Sequence, residues 1–197
     1  MAEICAIILA AGESKRMGSP KMLLPFNGST MLESVIANVI ASAIAKIIVV
    51  LGADKEALVQ LLGKQHINYC YNENFKEGML SSVQCGFRNL PQEINAALVF
   101  QGDQPLITRN AINPLIEAYL LSGKGIVIPV YNLKRGHPIL IDIKYRKEIE
   151  KLTPDEGLHM LSARFPEDVI EVETSESGIL RDFDTYKEYM KGINQIH

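Results

Sequence analysis

The feature that most constrains this chain is a short apolar run at residues 5–9, Cys-Ala-Ile-Ile-Leu, that breaks into a basic, glycine-bearing loop. The loop reads Ala10-Ala11-Gly12-Glu13-Ser14-Lys15-Arg16-Met17-Gly18-Ser19-Pro20-Lys21. A run this short, partly β-branched and closed by glycine, predicts a strand buried on both faces. The loop then sets Gly12 and Gly18 around Arg16 and Lys21. Small residues let the backbone approach a ligand and expose its N–H groups. Cations aimed at the same spot suit a polyphosphate. A plain glycine loop with solvated basic residues has the same composition, and the Walker spacing Gly-x-x-x-x-Gly-Lys-[Ser/Thr] is absent.

Downstream, apolar strands alternate with amphipathic helices. Strands are expected at residues 47–51, 67–71, 96–100, 126–130 and 169–172, with a further apolar run at 139–141. Thr30 and Glu33 form a capping box for a helix whose stripe is Leu32, Val35, Ile36, Val39, Ile40 and Ala43. Asp54 is expected to cap a helix with Leu58, Leu61 and Leu62 inward. Another helix opens at 78–82, with Val83 and Phe87 toward the core. A helix before Ser122 begins either at Thr108 or at Asn113 with Pro114 in its first turn. Thr153 with Glu156, and Thr185 with Glu188, read as two more capping boxes, Pro154 taking the first helical position after Thr153. This alternation implies an α/β domain with a mainly parallel sheet. At 197 residues, with no linker or repeat, one domain over 1–197 is expected.

A net charge of −3 argues against nucleic acid as the main partner. A phosphate ligand must then be met by local cations and a metal. Cys5, Cys70 and Cys85 are odd in number and widely spaced, which suits reduced, packed thiols in a cytoplasmic protein. The expectation extends to an N-terminus without a signal peptide and a chain without a membrane span. Oligomeric state is not readable.

In parallel sheets ligands sit at the carboxyl ends of the strands. The strand ends here are the 12–21 loop, Gly52-Ala53, the region of Asn74, and Asp103. A strand-end carboxylate beside bound phosphates is what Mg²⁺ requires, although an aspartate capping a turn looks the same. Asp182 and Asp184 fall on one side of an extended segment, because side chains alternate. Either supplies a second metal ligand, Asp182 being favoured, since Asp184 or Thr185 is also placed to cap the last helix. Gly78 at a helix entrance permits close approach, and the hydroxyls of Ser81 and Ser82 either read a base edge or occupy a first turn. His66 and His197 fall in no pattern, no His/Cys cluster suggests zinc, and no Gly-x-Ser-x-Gly elbow is present.

The segment Leu-Ala-Ala-Gly-x-Ser-x-Arg-Met-Gly-x-x-Lys at 9–21 resembles the signature loop of nucleotidyltransferases with a Rossmann-like fold, the MobA-like NTP transferases. Within them it is most similar to the molybdenum cofactor cytidylyltransferase branch. Gln101-Gly102-Asp103-Gln104-Pro105 resembles the family's Asp-x-Pro metal motif, and Gly78-Met79-Leu80-Ser81-Ser82 its Gly-Met-x-x-Ser segment. Asp182-Phe183-Asp184-Thr185 resembles the start of its Asp-x-Asp-Thr-Pro-Glu-Asp motif, with Tyr186 in place of Pro. Gly136-His137-Pro138 resembles its Gly-His-Pro, on the acceptor side. Residues 154–159 resemble Gly-Asp-x-Gly-Ala-Arg, with Pro154 for the first Gly and His159 for the Arg.

The resemblance implies a single-domain Rossmann-like three-layer α/β/α fold. It implies nucleotide binding by Leu9, Ala10, Ala11, Gly12, Arg16, Lys21, Gly52, Asn74, Gly78, Ser81 and Ser82. Lys21, Arg16 and Asp103 would carry catalysis, Asp103, Asp182 and Asp184 would hold Mg²⁺, and His137 would face the acceptor. The implied reaction moves CMP from CTP to a molybdopterin-type acceptor. A sugar-phosphate or phospho-alcohol acceptor, and a nucleotide-binding regulator without turnover, remain open. An oxidoreductase on a dinucleotide fold lacks Gly-x-Gly-x-x-Gly after the first strand. Lys21→Ala is expected to weaken NTP binding while barely moving thermal stability.

Overall fold

The computed structural model describes residues 2–194; His197 lies outside them. The apolar run forms β1 (Ile4–Ala10), buried at all seven positions. Its side chains alternate between two cores, as period-2 geometry requires. Ile4, Ala6, Ile8 and Ala10 face one core. Cys5, Ile7 and Leu9 face the other. The chain goes on through a small hairpin, β2 (Pro25–Phe26) and β3 (Ser29–Thr30), and then α1 (Met31–Ile40), β4 (Lys46–Leu51), α2 (Lys55–Gly63), β5 (Asn68–Tyr71), α3 (Met79–Arg88), β6 (Ala96–Gln101) and α4 (Arg109–Ser122). It ends with β7 (Ile126–Tyr131), β8 (Lys134–Arg135), β9 (Ile139–Asp142), α5 (Arg146–Lys151), α6 (His159–Arg164), β10 (Val169–Glu173) and α7 (Tyr186–Asn194).

The central sheet runs β10-β7-β9-β6-β1-β4-β5, with β8 paired to β7. Strands β6, β1, β4 and β5 are mutually parallel, and β10 is parallel to β7. The apolar run at 139–141 is the exception: β9 is inserted antiparallel between β6 and β7. Helices α1, α2 and α4 cover one face and α3, α5 and α6 the other, giving three layers.

Local rules account for most element ends. Thr30 and Glu33 make a complete capping box. Thr108, not Asn113, caps α4, and Pro114 lies inside that helix. Thr185 and Glu188 bond reciprocally at the start of α7. Three expectations need correction. Asp54 precedes α2 in a left-handed conformation (φ +55) and makes no side-chain cap. Ile40 is 58% exposed and Ala43 lies beyond α1, whose buried stripe begins at Met31 and ends at Val39. Glu156 does accept from the Thr153 N–H at 2.9 Å, but no helix starts at Pro154. Gly157, at φ +66, breaks the turn, and α6 begins only at His159.

A third, small core matters most for the site. Met17 from the basic loop, Phe26 from the hairpin and Met31 from α1 pack with Phe183 and Tyr189. The Phe26 and Phe183 rings lie 5.8 Å apart, and the Tyr189 hydroxyl donates to the Pro25 carbonyl at 2.6 Å. Phe183 is thereby a peg that fixes the two aspartates beside it. Phe183→Ala should lower the unfolding free energy by about 3 kcal/mol, the range for emptying a buried aromatic site. Urea titration checks this; an unchanged midpoint and slope would show that the peg is dispensable.

Candidate functional site

Four parallel strands release the chain on one rim: β1 into Ala11-Gly12, β4 into Gly52, β5 into Asn72 and β6 into Gly102-Asp103. Because β9 runs the other way, its start, after Gly136-His137-Pro138, reaches that same rim. Its Ile139 pairs with Val99 near the end of β6. Gly52 is required where β4 passes beneath the loop. A Cβ there would stand 2.6 Å from the Ala11 carbonyl oxygen, which accepts from the Ala53 N–H at 3.1 Å.

The rim encloses a cleft of about 370 Å³. Leu9, Ala11, Gly12, Arg16 and Lys21 line it from the loop side, and Asp103, Asp182 and Asp184 from the acidic side. Gly78 and Ser82 contribute from the entrance of α3. The loop is folded back on itself by Ser14, whose Oγ accepts from the Lys21 N–H at 3.1 Å. That bond aims the Lys21 side chain inward. Its ammonium pairs with Asp103 and, at 3.2 Å, with Asp184 Oδ1. Arg16 reaches the other oxygen of Asp184 at 2.6 Å while staying 69% exposed.

These charges tune one another. Burial disfavours the Lys21 ammonium, but Asp103 and Asp184 outweigh it and hold its pKa above the ordinary lysine range. Burial likewise works against the Asp184 carboxylate, and Lys21 and Arg16 reverse that and hold it below its usual value. Asp182 goes the other way: burial and the neighbouring carboxylates raise it. Phe183 is 1% exposed between them, so the acids do face the same side, as alternation requires.

The remaining expected residues lie elsewhere. The Ala10 side chain is in the core. Ser81 donates its hydroxyl to the Asn74 and Gly78 carbonyls and accepts from Asn72, which leaves it occupied within the fold. Asn74 supplies that carbonyl and does not line the cleft. His137 belongs to an adjoining cavity of about 260 Å³, shared with Met79, Val83, Leu158 and His159. Its Nδ1 is buried without a hydrogen-bond partner among the described residues, and burial lowers its pKa despite contact with the Val99 backbone.

Sequence reasoning missed Met22, Phe75, Met79 and Gln101, which complete the cleft. It also missed Asn72, a buried amide that donates to Ser81 at 2.8 Å and Ser82 at 3.0 Å. Its place at a strand end, two residues before Asn74, was the available signal. Gly78 sits at φ +101, a conformation reserved for glycine, so enlarging it strains the backbone whatever the space.

Among the described residues, no three His, Cys, Asp or Glu side chains converge closely enough to enclose a metal ion unaided. Two carboxylates within reach of one ammonium can hold a hard divalent cation together with substrate oxygens, the usual arrangement for Mg²⁺. No helix among the described residues is long and apolar enough to cross a membrane.

The family model described as MobA-like NTP transferase domain matches residues 6–169. Molybdenum cofactor cytidylyltransferase of Escherichia coli is 29% identical over 191 residues, covering 96% of this chain and 95% of that one. Nicotine blue oxidoreductase of Paenarthrobacter nicotinovorans is 27% identical over 194 residues, covering 94% of each. A crystal structure of Rv0371C from Mycobacterium tuberculosis in complex with manganese shares the fold, with a TM-score of 0.83 at 21% identity over 98% of this chain and 99% of that one.

The geometry argues against the expectation that removing Lys21 barely moves thermal stability. Its side chain is 13% exposed and Asp103's 8%, so Lys21→Ala leaves a buried carboxylate unpaired. The variant should lose about 3 kcal/mol of stability near neutral pH. The double variant Lys21→Ala/Asp103→Ala should recover part of that loss in urea titrations. A Lys21→Ala protein as stable as the parent would mean the carboxylate is effectively solvated.

Proposed function

The chain belongs to the MobA-like NTP transferase family, and on that footing we propose that it transfers CMP from CTP to a small phosphorylated acceptor of molybdopterin type, releasing pyrophosphate. The observation that carries this reading is the meeting of Arg16 and Lys21 with Asp103, Asp182 and Asp184 across one cleft at the carboxyl ends of the strands. Cations for a triphosphate and hard oxygens for a divalent ion stand there together.

An acceptor phosphate oxygen attacks the α-phosphorus in line, and the bond to the bridging oxygen of pyrophosphate breaks. The attacking oxygen is already ionised at pH 7, so no general base is needed. Gly12 and the loop backbone cradle phosphate oxygens. Lys21 and Arg16 neutralise the charge that accumulates on the leaving group. Asp103, with Asp184 or Asp182, would hold Mg²⁺, which supplies Lewis-acid stabilisation of phosphoryl charge when bound. Manganese in the structure of Rv0371C supports a divalent site in this fold.

The neighbouring cavity suits the acceptor. Its wall is apolar on Val83, Val99, Ile139 and Leu158 and polar at His137 and His159. His159, where the family pattern has arginine, favours a second reading in which the acceptor is a sugar phosphate or phospho-alcohol.

The loop cations grip phosphates common to every NTP, so base choice rests on Ser82, Gln101 and the backbone of 9–11. A site that pairs polar groups with cytosine leaves them unpaired against guanine, which discriminates strongly. A pyrophosphate-release screen crossing the four NTPs with candidate acceptors should give a higher kcat/KM for CTP than GTP, with the gap narrowed in Ser82→Ala. Equal turnover of GTP would move the reading to a guanylyl transfer. NTP binding without pyrophosphate release would point to a regulator, or to chemistry such as that in the name of the 27% identical oxidoreductase. Asp103→Asn should remain folded and lose turnover by orders of magnitude, since the metal's charge stabilisation is worth several kcal/mol. Near-parental Mg²⁺-dependent turnover would remove Asp103 from the site.

A further inference from the structure

We propose that Cys70 and Cys85 form a peroxide-responsive disulfide whose closure loosens the nucleotide cleft. Their Sγ atoms lie 3.7 Å apart, in contact, although the residues sit on different elements. Cys70 is on β5, the edge strand beyond β4, and Cys85 is on α3. Both are free thiols, 9% and 7% exposed. Cys5 is the internal contrast. It is wholly enclosed, and burial pushes its thiol up to about 12.

The pair is chemically asymmetric. The Cys70 thiol bonds to Cys85, and that bond with the nearby Arg88 guanidinium holds Cys85 below an ordinary thiol, while Cys70 is raised by the same bond and by burial. Arg88 lies beside Cys85, so Cys85 takes the part of the nucleophile and Cys70 that of the resolving thiol. The Cys85 thiolate attacks one oxygen of hydrogen peroxide, and with one proton taken up, a molecule of water leaves and Cys85 carries a sulfenic acid. The Cys70 sulfur then attacks the Cys85 sulfur, and the sulfenic oxygen departs with the Cys70 proton as a second water. Two thiols are oxidised and one peroxide is reduced.

The consequence follows from where the pair lies. Two residues beyond Cys70 is Asn72, whose amide clasps Ser81 and Ser82. One helical turn before Cys85 are those same serines. A disulfide holds its sulfurs at about 2.05 Å against 3.7 Å here, so closing it draws on both β5 and α3 at this point of contact. The clasp, bonds of 2.8 and 3.0 Å from the residue that follows β5 to α3, bears the resulting strain. Met79 and Ser82, which line the cleft from α3, move with it.

The test treats the full-length protein with hydrogen peroxide and maps peptides without reductant. The expected product joins the Cys70 and Cys85 peptides with the loss of two hydrogens, leaves only Cys5 titratable, and reverts with dithiothreitol. Amide exchange over residues 72–82 should quicken on oxidation and CTP binding should weaken about tenfold, the equivalent of one buried hydrogen bond lost. Neither change should occur in Cys70→Ser, or in Cys70→Ala if the serine variant fails to fold. Oxidation of Cys85 to the sulfinic acid without a cross-link would overturn the proposal, and so would a cross-link that leaves exchange over 72–82 unchanged. The binding readout rests on the nucleotide reading. If the reduced protein binds no CTP, that reading fails, and exchange over 72–82 alone decides this proposal.

Discussion

The site is organised around one largely buried ammonium. Lys21 stands between Asp103 and Asp184, and each of the three charges is tolerable away from bulk water only because of the others. Every nearby element serves this arrangement. The bond from Ser14 turns the loop so that Lys21 faces inward, β6 delivers Asp103, and the Phe183 peg brings Asp184 across from the far end of the chain. Two cations then meet three carboxylates, so the cluster on its own is close to balanced. An ionised triphosphate entering it would unbalance it strongly. A divalent cation held by the carboxylates would offset part of that charge and free Lys21 for the phosphates, which is a reason for carboxylates and cations to share one cleft.

The antiparallel insertion of β9 has a consequence for specificity. In an all-parallel sheet the segment before this strand would lie at the opposite edge, far from the cleft. Reversed, it carries His137 to the rim of the cleft and forms a second cavity that meets the first at Met79. On the proposed reading, the nucleotide and acceptor compartments both owe their place to one topological exception. The common phosphate-handling loop is separated from the residues that would choose the acceptor.

Much of this was legible in the sequence wherever a local rule governed. The 5–9 run is apolar at every position because both faces of β1 are covered, and the boxes at Thr30 and Thr185 are bonds over three residues. The same pattern at Thr153 misleads because Gly157 takes a left-handed conformation just downstream. Ile40 fits the stripe of α1 yet falls at the end of the helix, where it is more than half exposed. The direction of β9 and the clasp of Asn72 on Ser81 and Ser82 depend on contacts between elements distant in sequence, which neither periodicity nor spacing encodes. The motif positions Leu9, Ala11, Gly12, Arg16, Lys21, Gly78, Ser82, Asp103, Asp182 and Asp184 do come together in one cleft. Ser81, Asn74 and Gly52 are not among its lining residues and lie in the scaffold around it.

The central claim is that the Lys21 cluster receives a metal-bound nucleoside triphosphate. The most direct measurement is manganese anomalous diffraction from crystals of the protein soaked with Mn²⁺ and a non-hydrolysable CTP analogue. The account predicts an anomalous peak against the Asp103 carboxylate, shared with Asp184 or Asp182, with the triphosphate along the 12–21 loop and the Lys21 ammonium turned from Asp103 toward a phosphate. A metal peak away from Asp103, or a nucleotide bound outside this cleft with the Lys21 pairs intact, would contradict it.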